Sequence, residues 1–244
     1  MFDEEAKIWL QPHAMIYALF DEPVTMHGTS DSGHYLPSNG VPAIYNFTGM
    51  LGERGYSWFA SALHPASLAV HAATLRPEEH LALMSRFHYT AGITVTLRDN
   101  PERSQIALHR GRPRLDFRES RADVESIRCC LIDASRALLA VGARRVFLPM
   151  LRPPRVESHA DLRAIARLDM SYDRLLLFSD HTSGGNSFGA DSSRGVTDPS
   201  GRVFGAENVY VADSSLFPSA CGVSPSWTIM ALSRLVASQL ARAA

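Results

Sequence analysis

Cysteine is scarce in this sequence and forms no metal-binding pattern. The 244 residues contain three cysteines, Cys129, Cys130 and Cys221, and no C-x-x-C pair or His/Cys cluster. An odd number of thiols, two of them adjacent in the chain, is a poor basis for a structural disulfide framework. We therefore predict reduced thiols in a reducing compartment and no metal site, with Cys129 and Cys130 as small packing residues on a helix.

Long apolar runs and an excess of charge are also missing. No run approaches the roughly 20 apolar residues that a membrane-spanning helix needs, so no membrane span is expected. The formal net charge is -1, which provides no basic field for nucleic acid and argues against nucleic-acid binding. The chain begins MFDEEAKIWL, which is acidic where a secretion signal is positively charged, so a cytoplasmic location is expected.

The sequence also lacks the G-x-G-x-x-G pattern that holds the pyrophosphate of a dinucleotide at the start of a helix. Gly28, Gly33 and Gly40 are too far apart to form it, and no strand–helix pattern surrounds them. A chain without this motif is expected to bind the ADP half of a dinucleotide poorly by itself.

Alternating apolar and polar residues in the middle of the chain predict antiparallel strands. Residues 87–98 are rich in Tyr, Thr, Ile and Val, and alternation returns at residues 105–110 and 114–118 after short turn-like segments. These three runs predict a meander of neighbouring strands. A further extended run is predicted at residues 145–149, and a short buried strand at residues 208–212.

Helical spacing follows the meander. Ser120, with Asp123 three residues later, is typical of a capping box, and the apolar periodicity behind it predicts a helix that ends at Gly142. Ser158 is positioned to cap a second, shorter helix over residues 159–169.

Three features of the last quarter of the chain suggest chemistry. His181 precedes a glycine-rich loop, which lets a backbone approach a ligand closely. Asp213 follows the predicted strand, at the kind of position where open sheets carry ligand-binding groups. The loop 219–226 leads into an apolar-periodic helix over residues 226–242, whose first amides can face an electron-rich group. Each feature alone also has an ordinary explanation: a solvated histidine, a capping aspartate and a simple helix start.

Four motifs in a fixed order favour the functional explanation of these features over the ordinary one. They are HTSGGN at residues 181–186, GVTDPSGRVFG at 195–205, NVYVADSSLFPS at 208–219 and GVSPSWTIMAL at 222–232. This succession resembles the C-terminal segment of the glucose–methanol–choline (GMC) family of FAD-dependent alcohol oxidoreductases. There a His and glycine loop precede V-x-D-P-x-x-R-V-x-G, N-L-Y-V-A-D-x-S-x-x-P and N-P-x-x-T-I-x-A-L. The middle of the chain resembles the family's substrate domain more loosely.

The resemblance implies an α+β fold in two parts. Residues 1–178 would form a substrate-binding domain, an antiparallel sheet with flanking helices, with His13 and residues 19–23 at its entry. Residues 179–244 would supply the C-terminal strand–loop–helix segment of a FAD-binding domain. Specificity in the family lies in variable loops, here represented by residues 24–60, and its members act on sterols, long-chain alcohols, sugars and choline.

The resemblance also implies residue roles in alcohol oxidation by hydride transfer to FAD. His181 matches the family's active-site histidine and would act as the base or as a stabiliser of the alkoxide, which suits a group that titrates near neutral pH. Ser224 stands where the family has a second His or Asn. It keeps a hydrogen-bond donor but cannot serve as a base. The cofactor-contacting positions would be Asp213 and Ser214 near the ribityl and phosphate groups, and Pro225, Ser226 and Trp227 near the isoalloxazine ring.

The missing G-x-G-x-x-G pattern implies that another polypeptide segment must complete the cofactor site. The sequence is then expected to be a truncated copy, one half of a split enzyme or a partial gene product, with a separate FAD-binding chain as a candidate partner besides the alcohol. In isolation it should expose Val209, Val211 and a face of the last helix.

Two alternatives remain open at this point. One is a non-catalytic remnant or partner subunit that binds a FAD-containing chain. The other is a hydrolase that uses Ser214, Ser215 or Ser224 with His181, although no G-x-S-x-G elbow is present.

Overall fold

The computed structural model describes residues 7–24, 46–61 and 64–243. Most of the loop expected to set specificity, residues 25–45, lies outside the described residues. The chain forms two compact units, each built from separate stretches. Unit 1 comprises Met1–Pro12, Arg98–Asp123 and Ser179–Ala244, and unit 2 comprises His13–Leu97 and Val124–Phe178. The functional division between residues 1–178 and 179–244 stays a prediction.

Short strands and helices alternate along the described residues. The strands are β1 (Ile8–Trp9), β2 (His13–Leu19), β3 (Asn46–Phe47), β4 (Tyr56–Ala60), β5 (Thr90–Leu97), β6 (Arg103–His109), β7 (Arg112–Arg118), β8 (Arg145–Phe147) and β9 (Ser183–Gly184). The α-helices are α1 (Leu51–Arg54), α2 (Pro65–His71), α3 (Pro77–Ser85), α4 (Arg121–Ala140), α5 (Leu162–Ile165) and α6 (Ser226–Ala243). No helix among these described residues is long and apolar enough to cross a membrane.

Unit 2 is built on a five-stranded antiparallel sheet in the order β3-β4-β5-β2-β8. Strand β2 lies between β5 and β8, and Tyr17 pairs with Gly92 on one side and Phe147 on the other. The mixed helix and antiparallel-sheet class predicted from the sequence is confirmed.

Both faces of β2 are buried, because helices cover the sheet on each side. Ala14, Ile16 and Ala18 join the core that α4 contributes to, whereas Met15 and Tyr17 pack in a second cluster with residues of α2 and α3. A strand buried on both sides shows no apolar–polar alternation. For this reason, the alternation typical of a half-buried strand is missing from residues 13–19.

Helix α4 begins as the capping box predicts. The Ser120 hydroxyl oxygen accepts from the Asp123 N–H at 3.1 Å, and the Asp123 carboxylate accepts from the Ser120 N–H at 2.9 Å. Farther along α4, the Tyr56 hydroxyl donates to Asp133 at 2.6 Å, which fixes the helix to β4. The two adjacent cysteines lie on this helix, where burial raises the pKa of Cys130 well above the usual range.

The second predicted helix is much shorter than expected. Helix α5 covers Leu162–Ile165, not residues 159–169. Ser158 does not cap it. Instead, the Ser158 N–H and hydroxyl both donate to the Asp161 carboxylate, at 2.9 and 2.8 Å, and close a local turn before the helix.

The predicted three-strand meander is wrong in one connection. Strands β6 and β7 form a hairpin of their own, with Ile106 opposite Leu115, while β5 belongs to the five-stranded sheet of unit 2. The residues between β5 and β6 do not form a hairpin turn because the two strands pair in different sheets, and Asp99, which follows β5, is buried and accepts from the Leu10 and Gln11 N–H groups.

A second small sheet in unit 1 joins β1 to β9, with Ile8 opposite Gly184. Gly184 has a φ of 82°, and a Cβ there would overlap the Lys7 carbonyl oxygen and the Trp9 ring. Glycine is therefore required directly after the His181 segment for β1 to approach it.

Residues 208–212 do not form the predicted buried strand. The Val203 N–H donates to Val209 O at 2.9 Å and the Val211 N–H donates to Gly201 O at 2.8 Å, which leaves one isolated bridge between Arg202 and Tyr210. Turns on both sides of residues 201–203 make this partner segment too short to extend a ladder.

Apolar side chains are exposed on α6 and in the segment before it. Trp227 is 84% exposed, Met230 55% and Val209 52%, whereas Val211 is half-buried. The helix buries Val236, and the Ser233 hydroxyl donates to Ala212 O.

One loop of unit 1 is pinched at its base by two glycines. A Cβ on Gly189 would lie 2.5 Å from Gly195 N, and a Cβ on Gly195 would lie 2.5 Å from Gly189 N. The Gly189 N–H donates to Thr197 O at 2.8 Å, and the Val196 N–H donates to Ser187 O at 3.0 Å. The two arms therefore touch through backbone alone.

Candidate functional site

The predicted catalytic segments meet at one buried side chain, Gln11. Its amide oxygen accepts from the Gly222 N–H at 2.8 Å, and its amide nitrogen donates to Val223 O at 3.0 Å. The same nitrogen lies 3.1 Å from His181 Nδ1. Gln11 is 1% exposed. It therefore links His181 to the turn that contains Ser224, within unit 1.

Asp99 fixes the backbone of Gln11 through two hydrogen bonds. Its carboxylate accepts from the Leu10 N–H at 3.0 Å and from the Gln11 N–H at 2.9 Å. Burial raises the pKa of Asp99 to about 6, while the two backbone hydrogen bonds act in the opposite direction. A carboxyl group near half-ionisation at pH 6 is thus hydrogen-bonded to the backbone of the residue that contacts His181.

His181 itself is partly accessible. Its side chain is 18% exposed, and Nδ1 is also 3.6 Å from the carboxylate of Asp180, a side chain that is 63% exposed. The Gln11 contact is within hydrogen-bond range and the Asp180 contact is not. Of these two neighbours, only Gln11 is close enough to Nδ1 for a hydrogen bond.

The glycine loop after His181 is fastened to the segment 213–215. The Ser214 hydroxyl donates to Thr182 O at 2.9 Å, and the Asn186 N–H donates to Ser215 O at 2.9 Å. The Asp213 carboxylate accepts from the N–H and hydroxyl of Ser215, at 2.8 and 2.6 Å. The structure thus brings His181 and the predicted ribityl-binding positions into one local framework.

Two of the three hydroxyls proposed for a hydrolase, those of Ser214 and Ser215, are used structurally. Ser214 donates to a backbone carbonyl, and Ser215 donates to Asp213 while accepting from the Asn186 side chain at 3.0 Å. These bonds stabilise the loop and give the two hydroxyls a structural role.

The turn before α6 places the remaining predicted residues at its N-terminus. Ser224, Ser226 and Trp227 are exposed, and Pro225 is buried beneath them. The first amides of an α-helix have no partner within the helix and carry partial positive charge. Exposed donors of this kind fit the carbonyl oxygens and ring nitrogens at the polar end of a flavin.

Asp213 fits a different part of the cofactor. Its exposed carboxylate oxygens are hydrogen-bond acceptors, so they suit the hydroxyl groups of a ribityl chain better than the phosphates. The sequence has no G-x-G-x-x-G segment for the ADP half. The residues present therefore fit the flavin end of FAD.

Sequence reasoning did not find Gln11 or Asp99. Asp99 reaches residues 10 and 11 across 89 and 88 positions of the chain, and Gln11 reaches Gly222 across 211. Neither lies in a recognisable motif. The available signal was that each of these polar residues lies next to an apolar run, and the structure shows both runs to be buried strands.

Comparison with known proteins identifies the family and the fold. The sequence model described as GMC oxidoreductase matches residues 94–233. This match covers more than half of the chain, and the protein belongs to the GMC oxidoreductase family.

Two curated relatives illustrate the similarity. The chain is 33% identical over 117 residues to an uncharacterized GMC-type oxidoreductase of Mycobacterium tuberculosis, which covers 48% of this chain and 18% of the relative. It is 26% identical over 192 residues to the long-chain-alcohol oxidase FAO1 of Arabidopsis thaliana, which covers 74% of this chain and 25% of the relative. The chain thus spans a quarter or less of the length of these relatives.

Solved structures share the fold at low sequence identity. The formate oxidase of Aspergillus oryzae RIB40 superimposes with a TM-score of 0.62 at 13% identity, over 96% of this chain and 46% of that one. A FAD-dependent oxidoreductase from Chaetomium thermophilum gives a TM-score of 0.59 at 13% identity, over 97% and 48%. These neighbours show the fold alone.

Proposed function

We propose that this chain contributes the catalytic C-terminal part of a FAD-dependent enzyme that oxidises an alcohol to an aldehyde or ketone. The observation that supports the proposal is the Gln11 side chain, which joins two separately recognised motifs, the His181 loop and the turn at residues 222–224. One buried amide thereby holds two motifs more than 40 positions apart close together, as a common site requires.

Each residue has a defined task in this proposal. His181 contacts the alcohol oxygen, either to accept its proton or to stabilise it by a hydrogen bond. Ser224 orients the substrate hydroxyl, directly or through a water. The N-terminus of α6 with Pro225, Ser226 and Trp227 holds the flavin ring, and Asp213 and Ser214 hold the ribityl region.

FAD, when bound, would supply the hydride acceptor, and the protein would supply binding and orientation. Since the chain lacks G-x-G-x-x-G, the ADP half would be held by another polypeptide segment, on the same longer protein or on a separate FAD-binding chain. The exposed apolar side chains of Val209, Trp227 and Met230 are the candidate contacts for that segment.

A long-chain or sterol alcohol is the substrate class to test first. Relatives include long-chain-alcohol oxidase FAO1 and a cholesterol oxidase from Acinetobacter baumannii, the latter 44% identical over 55 residues. The 55 residues cover 22% of this chain and 10% of that relative, so the inference concerns the substrate class only.

A second candidate function is that of a non-catalytic partner subunit. Ser224 stands where the family pattern has His or Asn. This favours a non-catalytic subunit, because serine cannot replace histidine as a base. In this case the chain would bind a FAD-containing partner through the same apolar side chains and would not oxidise alcohol.

The first experiment tests flavin binding. The chain is purified with added FAD, alone and together with the product of any upstream reading frame that carries G-x-G-x-x-G, and the visible spectrum is recorded after gel filtration. We expect flavin absorbance in the complex only. Absorbance with the chain alone would contradict the need for another segment, and absorbance in neither sample would contradict the proposed cofactor.

The second experiment tests the chemistry in the flavin-bound complex. Anaerobic addition of 1-dodecanol or cholesterol should bleach the flavin, and His181→Ala should slow the bleaching by about 100-fold or more. His109→Ala, at the exposed tip of the β6–β7 hairpin, is the matched control. Full activity after His181→Ala would show that His181 is not catalytic, and a flavin that no alcohol reduces would favour the partner subunit.

Ser224 is tested in the same complex. Ser224→Asn restores the longer amide of the family pattern and should preserve or raise the rate, while Ser224→Ala should lower it. A large loss in Ser224→Asn would show that the serine has a role of its own.

A further inference from the structure

Gln11 adopts a backbone conformation that a non-glycine residue rarely takes. Its φ is 46°, in the left-handed region, which is unfavourable for a residue with a Cβ. The two Asp99 hydrogen bonds to the Leu10 and Gln11 amides hold this conformation. A buried polar residue held under local strain, with its side chain directed at a candidate catalytic histidine, indicates a role beyond packing.

The orientation of the Gln11 amide follows from its partners. The Gly222 N–H can only donate, so the atom 2.8 Å from it must be the amide oxygen. Val223 O can only accept, so the atom 3.0 Å from it must be the amide nitrogen. A flipped amide would place like groups against each other at both contacts. The assignment of oxygen and nitrogen is therefore unique.

This orientation leaves one amide N–H for the histidine. The amide nitrogen carries two hydrogens, and one of them is used by Val223 O. The nitrogen lies 3.1 Å from His181 Nδ1 and cannot accept a hydrogen bond. Nδ1 must then be the acceptor, and in a neutral imidazole the proton resides on the other nitrogen, Nε2.

The geometry points to Gln11 as the positioning residue of this site: it fixes His181 against the Gly222–Val223 turn and holds its neutral ring with the proton on Nε2. This inference rests on the proposed function for its meaning, because it decides between the two roles left open for His181. A ring with Nε2–H offers an alcohol oxygen a hydrogen-bond donor. It stabilises negative charge on that oxygen, and Nε2, which already carries a proton, does not accept the hydroxyl proton.

The test measures the tautomer directly, without flavin or alcohol. The full chain is labelled with ¹⁵N-histidine, and long-range ¹H–¹⁵N correlation spectra are recorded at pH 8, above the ordinary histidine pKa of about 6.5. The signals of His181 are identified by their loss in His181→Gln. We expect the Nε2–H form to exceed the Nδ1–H form by more than about fivefold, the bias that one buried hydrogen bond supplies.

Gln11→Glu is the decisive variant. Its carboxylate can still accept from the Gly222 N–H but now also accepts from the ring, so the tautomer should reverse to Nδ1–H. Gln239→Glu, an exposed change of the same type on α6, should leave the spectrum unchanged. A merely structural Gln11 would alter stability without reversing the tautomer.

Two results overturn the inference, and neither depends on the proposed function. One is a wild-type His181 with its proton on Nδ1, which is informative even if Gln11→Glu does not fold. The other is a folded Gln11→Glu, verified by circular dichroism, that keeps the Nε2–H form. If instead the spectra agree with the inference but the complex binds no flavin, the enzyme proposal fails and the assignment of Gln11 stands.

Discussion

Asp99→Asn should remove a pH dependence that the wild-type protein carries. The pKa of Asp99 rises from 3.8 to about 6 because the carboxyl group is buried. The folded state therefore binds the proton more tightly than the unfolded chain does, so the stability contributed by this group is fully present below pH 4 and is lost as pH rises through about 6. Asparagine does not titrate and has no such loss.

The size of the effect follows from the shift. About two pKa units correspond to about 3 kcal/mol at 1.36 kcal/mol per unit. The group is 3% exposed, so solvent screening does not reduce this value greatly. The free energy of unfolding of the wild type, minus that of Asp99→Asn, should thus fall by about 3 kcal/mol between pH 3.5 and pH 7.

Urea denaturation followed by tryptophan fluorescence, in steps of half a pH unit, measures this difference. Only its change with pH is used, so a constant penalty from the altered hydrogen bonds of asparagine cancels. Asp116→Asn on the exposed hairpin serves as the control and should not remove the change. A difference that stays flat, or grows as pH rises, would refute the reasoning that burial governs Asp99.

Two further substitutions test the local framework by thermal denaturation. Gly184→Ala places a Cβ against the Lys7 carbonyl oxygen and should cost at least about 2 kcal/mol, clearly more than Gly111→Ala, which has a φ of 73° but open space around it; equal losses would show that backbone conformation alone matters. Ser120→Ala removes the hydroxyl acceptor at the start of α4 and should cost about 1 kcal/mol, with Ser120→Thr largely restoring it; no loss in Ser120→Ala would exclude the capping box as a source of stability.

Local signals in the sequence predicted the elements whose residues contact near neighbours. The Ser120 capping box, the alternation of β6 and β7 and the periodicity of α6 each depend on residues a few positions apart. Such patterns can be recognised without knowing the rest of the fold.

The misses come from contacts across long stretches of chain and from local turns that interrupt predicted elements. Strand β2 shows no alternation because helices bury it on both sides, and residues 208–212 form no strand because their neighbouring segment is interrupted by turns. In the candidate site, motif order located His181 and Ser224, but Gln11 and Asp99 act through partners some 90 to 210 positions away. A single sequence can show that a polar residue lies beside an apolar run, but it does not show which distant residue that side chain meets.

The pinched loop of unit 1 has a practical consequence for protein engineering. Because the backbones at Gly189 and Gly195 already touch, neither glycine can be replaced without separating the two arms. Residues 190–194, beyond the pinch, are all exposed and reach no buried core. The closed base isolates this tip from the His181 loop that precedes it. A short affinity tag or a fluorophore-bearing cysteine is therefore best placed there, at a site that reports on assembly without entering the chemistry.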